Sequence, residues 1–376
     1  RGLGAPALEE AANDSAEECK KAGLQPGEEG NSYFQTWTEN AGLPMGKIQL
    51  KNVIGILPGK KVQWREQSVV VAAHYDHLGR GWPDVHKGDE GKIHYGADDN
   101  ASGVAVMLEL IRNIASKGPS DRTIVFVAFT GEEAGRRGSI YFVNNASRYP
   151  VNKMMGMLNL DTVGRLNKNK LTVFGTGSAR EWIHIFRGAG FVTGVDIQSV
   201  KNEFGSSDQR SFLDAGVPAV QFFSGANSDF HRPSDTPDKI DSAGLVKVAT
   251  VLKEAVEYLA AREEPLHSTL TISGADQKKA AGTQKTTKGR RVSLGTVPDF
   301  AFNENGVRIT DVTSGSPAEK AGLRAGDVII RLNNNDVTDL KDFSAVLRSL
   351  SPGDPLTIVY RRDGKKVSVT TDVIAR

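Results

Sequence analysis

The chain has 376 residues, 39% hydrophobic and 24% charged, with a formal net charge of +2. That length asks for two domains, the composition excludes wholesale disorder, and the near-balanced charge excludes a nucleic acid or an anionic membrane surface held by bulk electrostatics. The single cysteine, Cys19, excludes an intramolecular disulfide, and no apolar run reaches the roughly 18 residues needed to span a bilayer.

In chain order, "RGLGAPALEEAANDSAEECKK" enters a helical pattern almost at once, without Met or a charged-then-apolar leader, so further residues are expected to precede it. From about Lys47 to Ala261, β-rich runs alternate with amphipathic stretches. This predicts an α/β domain with a mixed, largely parallel sheet flanked by helices. Strands are predicted at Val53–Leu57, Val69–Ala73, Ile124–Phe129, Met154–Leu160, Leu171–Phe174 and Ala219–Phe223, and helices at Ser102–Ser116, Gly138–Asn145, Arg180–Gly188 and Ser242–Ala261. Residues 262–290, rich in Lys, Thr, Ala, Gly and Gln without apolar periodicity, read as a flexible linker. Residues 291–376 carry their own strands, at Gly306–Val312, Val328–Leu332, Leu356–Arg361 and Val367–Val373, and form a second, small β-rich domain.

Acidic and imidazole side chains collect where the predicted strands end. "VVVAAHYDHLG" closes a strand on His74 and Asp76, "TGEEAG" follows with Glu132 and Glu133, and "NLD" ends on Asp161. "GADDNASG" sets Asp98 and Asp99 before a helix, and "SDFHRPSDT" brings His231 after the last strand. Ligands of open α/β sheets bind outside the carboxyl ends of the strands, so these groups are expected to share one edge. So many carboxylates there require a multivalent cation. Imidazole with carboxylate and no thiolate suits Zn²⁺. Five donors exceed the three that one catalytic zinc takes from protein, which favours two ions sharing a carboxylate.

The order H-x-D, G-A-D-D-N-A-S-G, G-E-E, N-L-D and H-x-x-x-D-T resembles the di-zinc aminopeptidases of peptidase family M28, over residues 1–261 and without a protease-associated insert. The resemblance implies that His74 and Asp161 hold one Zn²⁺, Glu133 and His231 the other, and that Asp99 bridges them, with a cis peptide bond after it. It makes Glu132 the general base, Asp76 the partner that fixes the His74 tautomer, and Asp235 a similar supporting group. It also implies peptide substrates with a free N-terminus, and export to the periplasm or cell exterior. Two positions depart from the family pattern: Phe230 stands where relatives often carry Tyr, and Gln209 where His is common. Nothing resembles H-E-x-x-H or a nucleophile elbow.

His77 lies three residues beyond His74, yet the family pattern gives it no metal, and it is expected to line the pocket or hydrogen-bond there. His86 and His94 are expected at the surface or the pocket rim, His184 and His267 as structural or solvated residues. Two other readings remain open: a glutaminyl cyclase-like enzyme using one zinc on the same fold, and a non-catalytic peptide-binding receptor, which usually goes with lost ligands.

In the second domain, "VSLGTVPDF" and "GSPAEKAGLRAGDVI" resemble a PDZ domain over about Val292–Val373. That resemblance implies an added strand of bound peptide, with its C-terminal carboxylate held by the loop Ser293, Leu294, Gly295 and Thr296.

Overall fold

In the computed structural model the described residues are 1–40, 46–146, 148–202, 207–271, 291–300, 302 and 304–376. Their first part is one nine-stranded sheet with helices on both faces. Its strands are β1 (Gln25–Pro26), β2 (Phe34–Asn40), β3 (Lys47–Leu57), β4 (Ser68–His74), β5 (Thr123–Phe129), β6 (Met154–Leu160), β7 (Leu171–Phe174), β8 (Ile197–Val200) and β9 (Ala219–Phe223). The helices are α1 (Pro6–Lys21), α2 (Gly103–Ala115), α3 (Arg137–Asn145), α4 (Trp182–Thr193), α5 (Gln209–Asp214) and α6 (Ser242–Ala261).

The strand order is β1-β3-β5-β4-β6-β9-β7-β8, with β2 also paired to β3. Strands β5, β4, β6 and β9 run parallel at the centre, but β3 joins β5 and β7 joins β9 antiparallel. The sheet is therefore mixed, with a central parallel block and a further parallel pair, β7 and β8, at one edge. Every residue of β4, β5 and β6 is buried, as parallel strands covered on both faces must be. Along β4 the period of two is strict: Val69, Val71 and Ala73 belong to one core, Val70 and Ala72 to the other. The first core lies under α1, α2, α4 and α6, the second under α3 and α5.

Helix α6 buries Val248, Val251, Leu252, Ala255, Val256 and Leu259, a helical stripe. Its end is tied to the sheet by Arg122, just before β5 and 0% exposed. The guanidinium donates to the carbonyls of Leu259, Ala260 and Arg262 and to the Gln67 side chain, and lies over the Trp64 ring. A cation there answers both the orphan carbonyls and the negative end of the helix.

Residues 266–268, inside the predicted linker, are anchored to the first part. Leu266 packs into the first core, Ser268 bridges to Ala179, and the His267 main-chain N–H donates to Glu181. The rest of that prediction, residues 272–290, lies outside the described residues. The second part has a separate core that includes Val292, Leu294, Ile309, Ile329, Leu347 and Ile358. Its strands are β10 (Val292–Ser293), β11 (Thr296–Pro298), β12 (Val307–Val312), β13 (Val328–Leu332), β14 (Asn335–Asp336), β15 (Pro355–Arg362), β16 (Lys365–Asp372) and β17 (Ile374–Ala375), with helices α7 (Pro317–Lys320) and α8 (Leu340–Ser349). The order β11-β12-β13-β15-β16 leaves β11 at an edge. Among the described residues no helix is long and apolar enough to cross a membrane.

Replacing Arg122 with Met is expected to lower the unfolding free energy by about 2–4 kcal/mol, since two buried carbonyls and a part-buried one lose their donor. Urea unfolding followed by circular dichroism checks this, and an unchanged midpoint rejects the assigned anchoring role.

Candidate metal centre

Strands β4, β5 and β6 end side by side, and the chain beyond each end delivers one part of the cluster. His74 is the last residue of β4, Glu132 and Glu133 follow β5 after Gly131 (φ 67°), and Asp161 follows β6. Asp99 enters from the turn before α2, where the Asp99–Asn100 peptide is cis as the resemblance implied. His231 arrives from the loop after β9 with φ 57°.

The five predicted ligands meet. His74 Nε2 lies 3.2 Å from Asp99 Oδ1 and 3.5 Å from Asp161 Oδ1. His231 Nε2 lies 3.2 Å from Asp99 Oδ2 and 3.1 Å from Glu133 Oε2. Asp99 thus turns one oxygen to each pair. Donors about 2.0–2.1 Å from a tetrahedral ion stand ~3.3 Å apart, so these separations and this N/O donor set fit zinc.

Hydrogen bonds fix the backbone that carries these side chains. Asp235 accepts from the N–H groups of Asp98 (2.9 Å) and Asp99 (3.1 Å) and pairs with Arg165, so it holds the turn rather than a histidine. Asn100 donates to the Leu160 carbonyl and accepts from Gly103 N–H, joining that turn to β6 and α2. Asp98 accepts from Gly164 N–H at 2.6 Å. Asp76 is completely buried. Its carboxylate accepts from the N–H groups of Glu132 (3.1 Å) and Glu133 (3.4 Å), whereas His74 Nδ1 is nearer the Asp76 carbonyl (3.3 Å) than the carboxylate (3.6 Å). His231 Nδ1 meets Asp84 at 2.8 Å, and Asp84 also pairs with Arg376.

Seven carboxylates (Asp76, Asp84, Asp99, Glu132, Glu133, Asp161, Asp208) face three imidazoles (His74, His77, His231) in this region. Their proton affinities divide accordingly. Burial opposes the charge on His74, yet Asp161, Asp76 and Asp99 hold its pKa well above the ordinary value. Burial likewise opposes Asp99, but His231 and His74 hold it well below the carboxylate range, and Glu133 falls to about 2 because Asp99 and burial are outweighed by His231 and His77. Glu132 goes the other way: desolvation lifts it well above that range, with Asp208, Glu133 and Asp161 adding to the effect against His74. Asp208 is pushed up to about 7 by burial, Asp76 and Asp161, also against His74.

Asp84 and Asp208 were missed. Asp84 sits in a polar loop with no periodic signal, and Asp208 follows a segment with no strand or helix pattern. Neither Asp208 oxygen has a hydrogen-bond partner among the described residues. Gln209 does not reach the cluster but joins a buried amide network with Asn159 and Gln221. Phe230 stacks on the His231 ring at 3.9 Å between centroids. His94, expected at the surface or rim, is buried.

The profile of peptidase family M28 matches residues 52–256, more than half of the chain. The chain belongs to peptidase family M28. A PDZ domain profile matches residues 288–373, the β-rich second part. Aminopeptidase YwaD of Bacillus subtilis is 30% identical over 230 residues, covering 58% of this chain and 47% of that protein. A probable periplasmic serine endoprotease, DegP-like, of Chlamydia trachomatis is 38% identical over 68 residues, 18% of this chain and 14% of its own length. The crystal structure of an Acidobacteriales bacterium glutaminyl cyclase aligns with TM-score 0.56 at 20% identity, over 70% of this chain and 89% of that one; this likeness concerns the fold. The M28 chain spans about half the length of Aminopeptidase YwaD.

An acid whose folded pKa exceeds its unfolded value costs stability as pH rises from the unfolded pKa to the folded one, because over that range the native state binds more protons than the unfolded one. Asp208 should therefore subtract stability from the metal-free protein as pH rises from about 4 to about 7. Asp208→Asn is expected to become the more stable of the two across that window, measured by urea unfolding at several pH values. A difference between the two proteins that does not change with pH rejects the assignment.

Proposed function

We propose that the chain is a di-zinc aminopeptidase, removing N-terminal residues from peptides with Glu132 as general base. His74 and Asp161 would hold one zinc, Glu133 and His231 the other, with Asp99 between them. The observation that carries this reading is Asp99, whose two oxygens each stand 3.2 Å from a different imidazole. Zinc bound there would supply Lewis acidity at the scissile carbonyl and bring the attacking water's pKa towards neutrality.

The residues supply the rest. Glu132 is driven towards its neutral form by desolvation, and with the charge of bound zinc opposing that shift it would be ionised near neutral pH, able to take the proton of the attacking water and return it to the leaving amine. Asp76 holds Glu132 and Glu133 through their N–H groups, which fixes the spacing between the base and a ligand. The excess of carboxylates favours a substrate with a free, positively charged α-amine. Phe230 offers no hydroxyl to a developing oxyanion and forms an apolar wall against His231.

In the second part, the segment Ser293, Leu294, Gly295 and Thr296 runs into the edge strand β11, which starts at Thr296, with Gly295 at φ 79° and Leu294 buried. An extended peptide adding to that edge, its C-terminal carboxylate against this loop, is the proposed ligand. The periplasmic DegP-like relative supports placing the protein outside the cytoplasm.

Glu132→Gln is expected to lose about a hundred- to ten-thousandfold in kcat on aminoacyl p-nitroanilides while retaining two zinc ions per chain by elemental analysis. Near-normal turnover in that variant rejects the general-base role. About one zinc per chain together with pyroglutamate formation would instead assign the single-zinc cyclase chemistry.

A further inference from the structure

We propose that His77 is a positioning residue for the second metal site, donating from Nδ1 to one oxygen of Glu133 so that the other is presented to zinc. This rests on the ligand set proposed above.

The two oxygens of Glu133 have different neighbours. Oε1 lies 2.8 Å from His77 Nδ1, while Oε2 lies 3.1 Å from His231 Nε2. Both atoms of the His77 contact are withdrawn from water, the side chains being 0% and 5% exposed. His77 Nδ1 stands 3.9 Å from Asp99, beyond hydrogen-bond reach and longer than the ~3.3 Å between donors sharing one tetrahedral zinc.

Orientation separates a supporting imidazole from a ligating one. His74 and His231 both aim Nε2 into the cluster and secure Nδ1 behind it, against Asp76 and Asp84. His77 is reversed. Its Nδ1 faces Glu133, and its Nε2 is buried with no partner among the described residues. A ligating imidazole carries its proton on the remote nitrogen and needs an acceptor for it. With none there, the favourable tautomer holds the proton on Nδ1, where Glu133 accepts it.

The ring is also held in place. Gly96 has φ 63°, and a Cβ added to it would lie 2.5 Å from Cγ and Cδ2 of His77, so the glycine backbone packs on the imidazole. A carboxylate with one oxygen engaged by a fixed N–H has its free oxygen aimed before the ion arrives. Outer-sphere partners of this kind are typically worth about 10- to 100-fold in metal affinity.

The test uses the full chain, dialysed free of metal and titrated with zinc against a chromophoric chelator. His77→Leu and His77→Gln are expected to weaken one of the two sites about 10- to 100-fold and leave the other as in the parent. His77→Asn, whose amide nitrogen falls where Nδ1 was, is expected to restore it. A general packing defect would not spare one site or respond to the choice between Asn and Gln. X-ray absorption of the two-zinc parent protein should give about one imidazole per zinc. Parent-like affinity at both sites in His77→Leu, or about three imidazoles per two zinc ions, overturns the proposal while leaving the centre standing. A parent chain that binds no zinc tightly removes the centre and the proposal together.

Discussion

The fold is organised around a concentration of negative charge that protein groups alone balance only by moving protons. Asp99 is its middle: almost wholly buried, between His74 and His231, and held far below the usual carboxylate range by them. The opposed behaviour of the other acids follows from the same deficit of positive charge. Glu133 has two imidazoles beside it and stays ionised, whereas Glu132 and Asp208 face further carboxylates and are driven towards the neutral form. Multivalent cations relieve all of these at once, and protonated imidazoles relieve only some.

Such a cluster survives only on rigid supports. The parallel strands give three adjacent ends of fixed spacing, and the turns beyond them are pinned by buried side chains rather than left to loop preferences. Asp235 holds the Asp98–Asp99 backbone and Asn100 ties it to β6, while Asp76 does the same for Glu132 and Glu133. Several acids here thus serve the backbone, Asp235 and Asp98 among them. Acid count alone would overstate the number of groups available to a cation, and hydrogen-bond direction separates the two kinds.

The parts legible in the sequence were those written as local pattern. Central strands appear as unbroken apolar runs because both faces are covered, and α6 as a helical stripe, so their positions and the residues just past their ends could be read directly. Strand β2 and the first half of β3 could not, since "FQTWTEN" and "KIQLKN" set their buried positions among many polar residues. Residues 262–270 looked like a tether because their anchoring depends on Glu181, 86 residues before His267, and on the packing of one residue, Leu266, into the first core. Asp84 and the direction of the His77 ring are invisible for the same reason: each acquires meaning only from a neighbour brought by the fold.

Asp84 shows how far that dependence extends. Burial would raise its pKa, but the hydrogen bond to His231 and the charge of Arg376 bring it to about 2. One carboxylate therefore both orients an imidazole of the cluster and receives a guanidinium from the end of the second part, where the Arg376 carbonyl also accepts from Lys87 N–H at 3.0 Å. Phe300 meets Phe223, the last residue of β9, edge-on at 5.8 Å. These contacts touch the loop after β4 that meets His231 and the end of β9, the strand before the His231 loop. The imidazole tautomer there is set by a group that answers to both parts of the chain, so the geometry of one histidine is a property of the whole molecule and not of its motif.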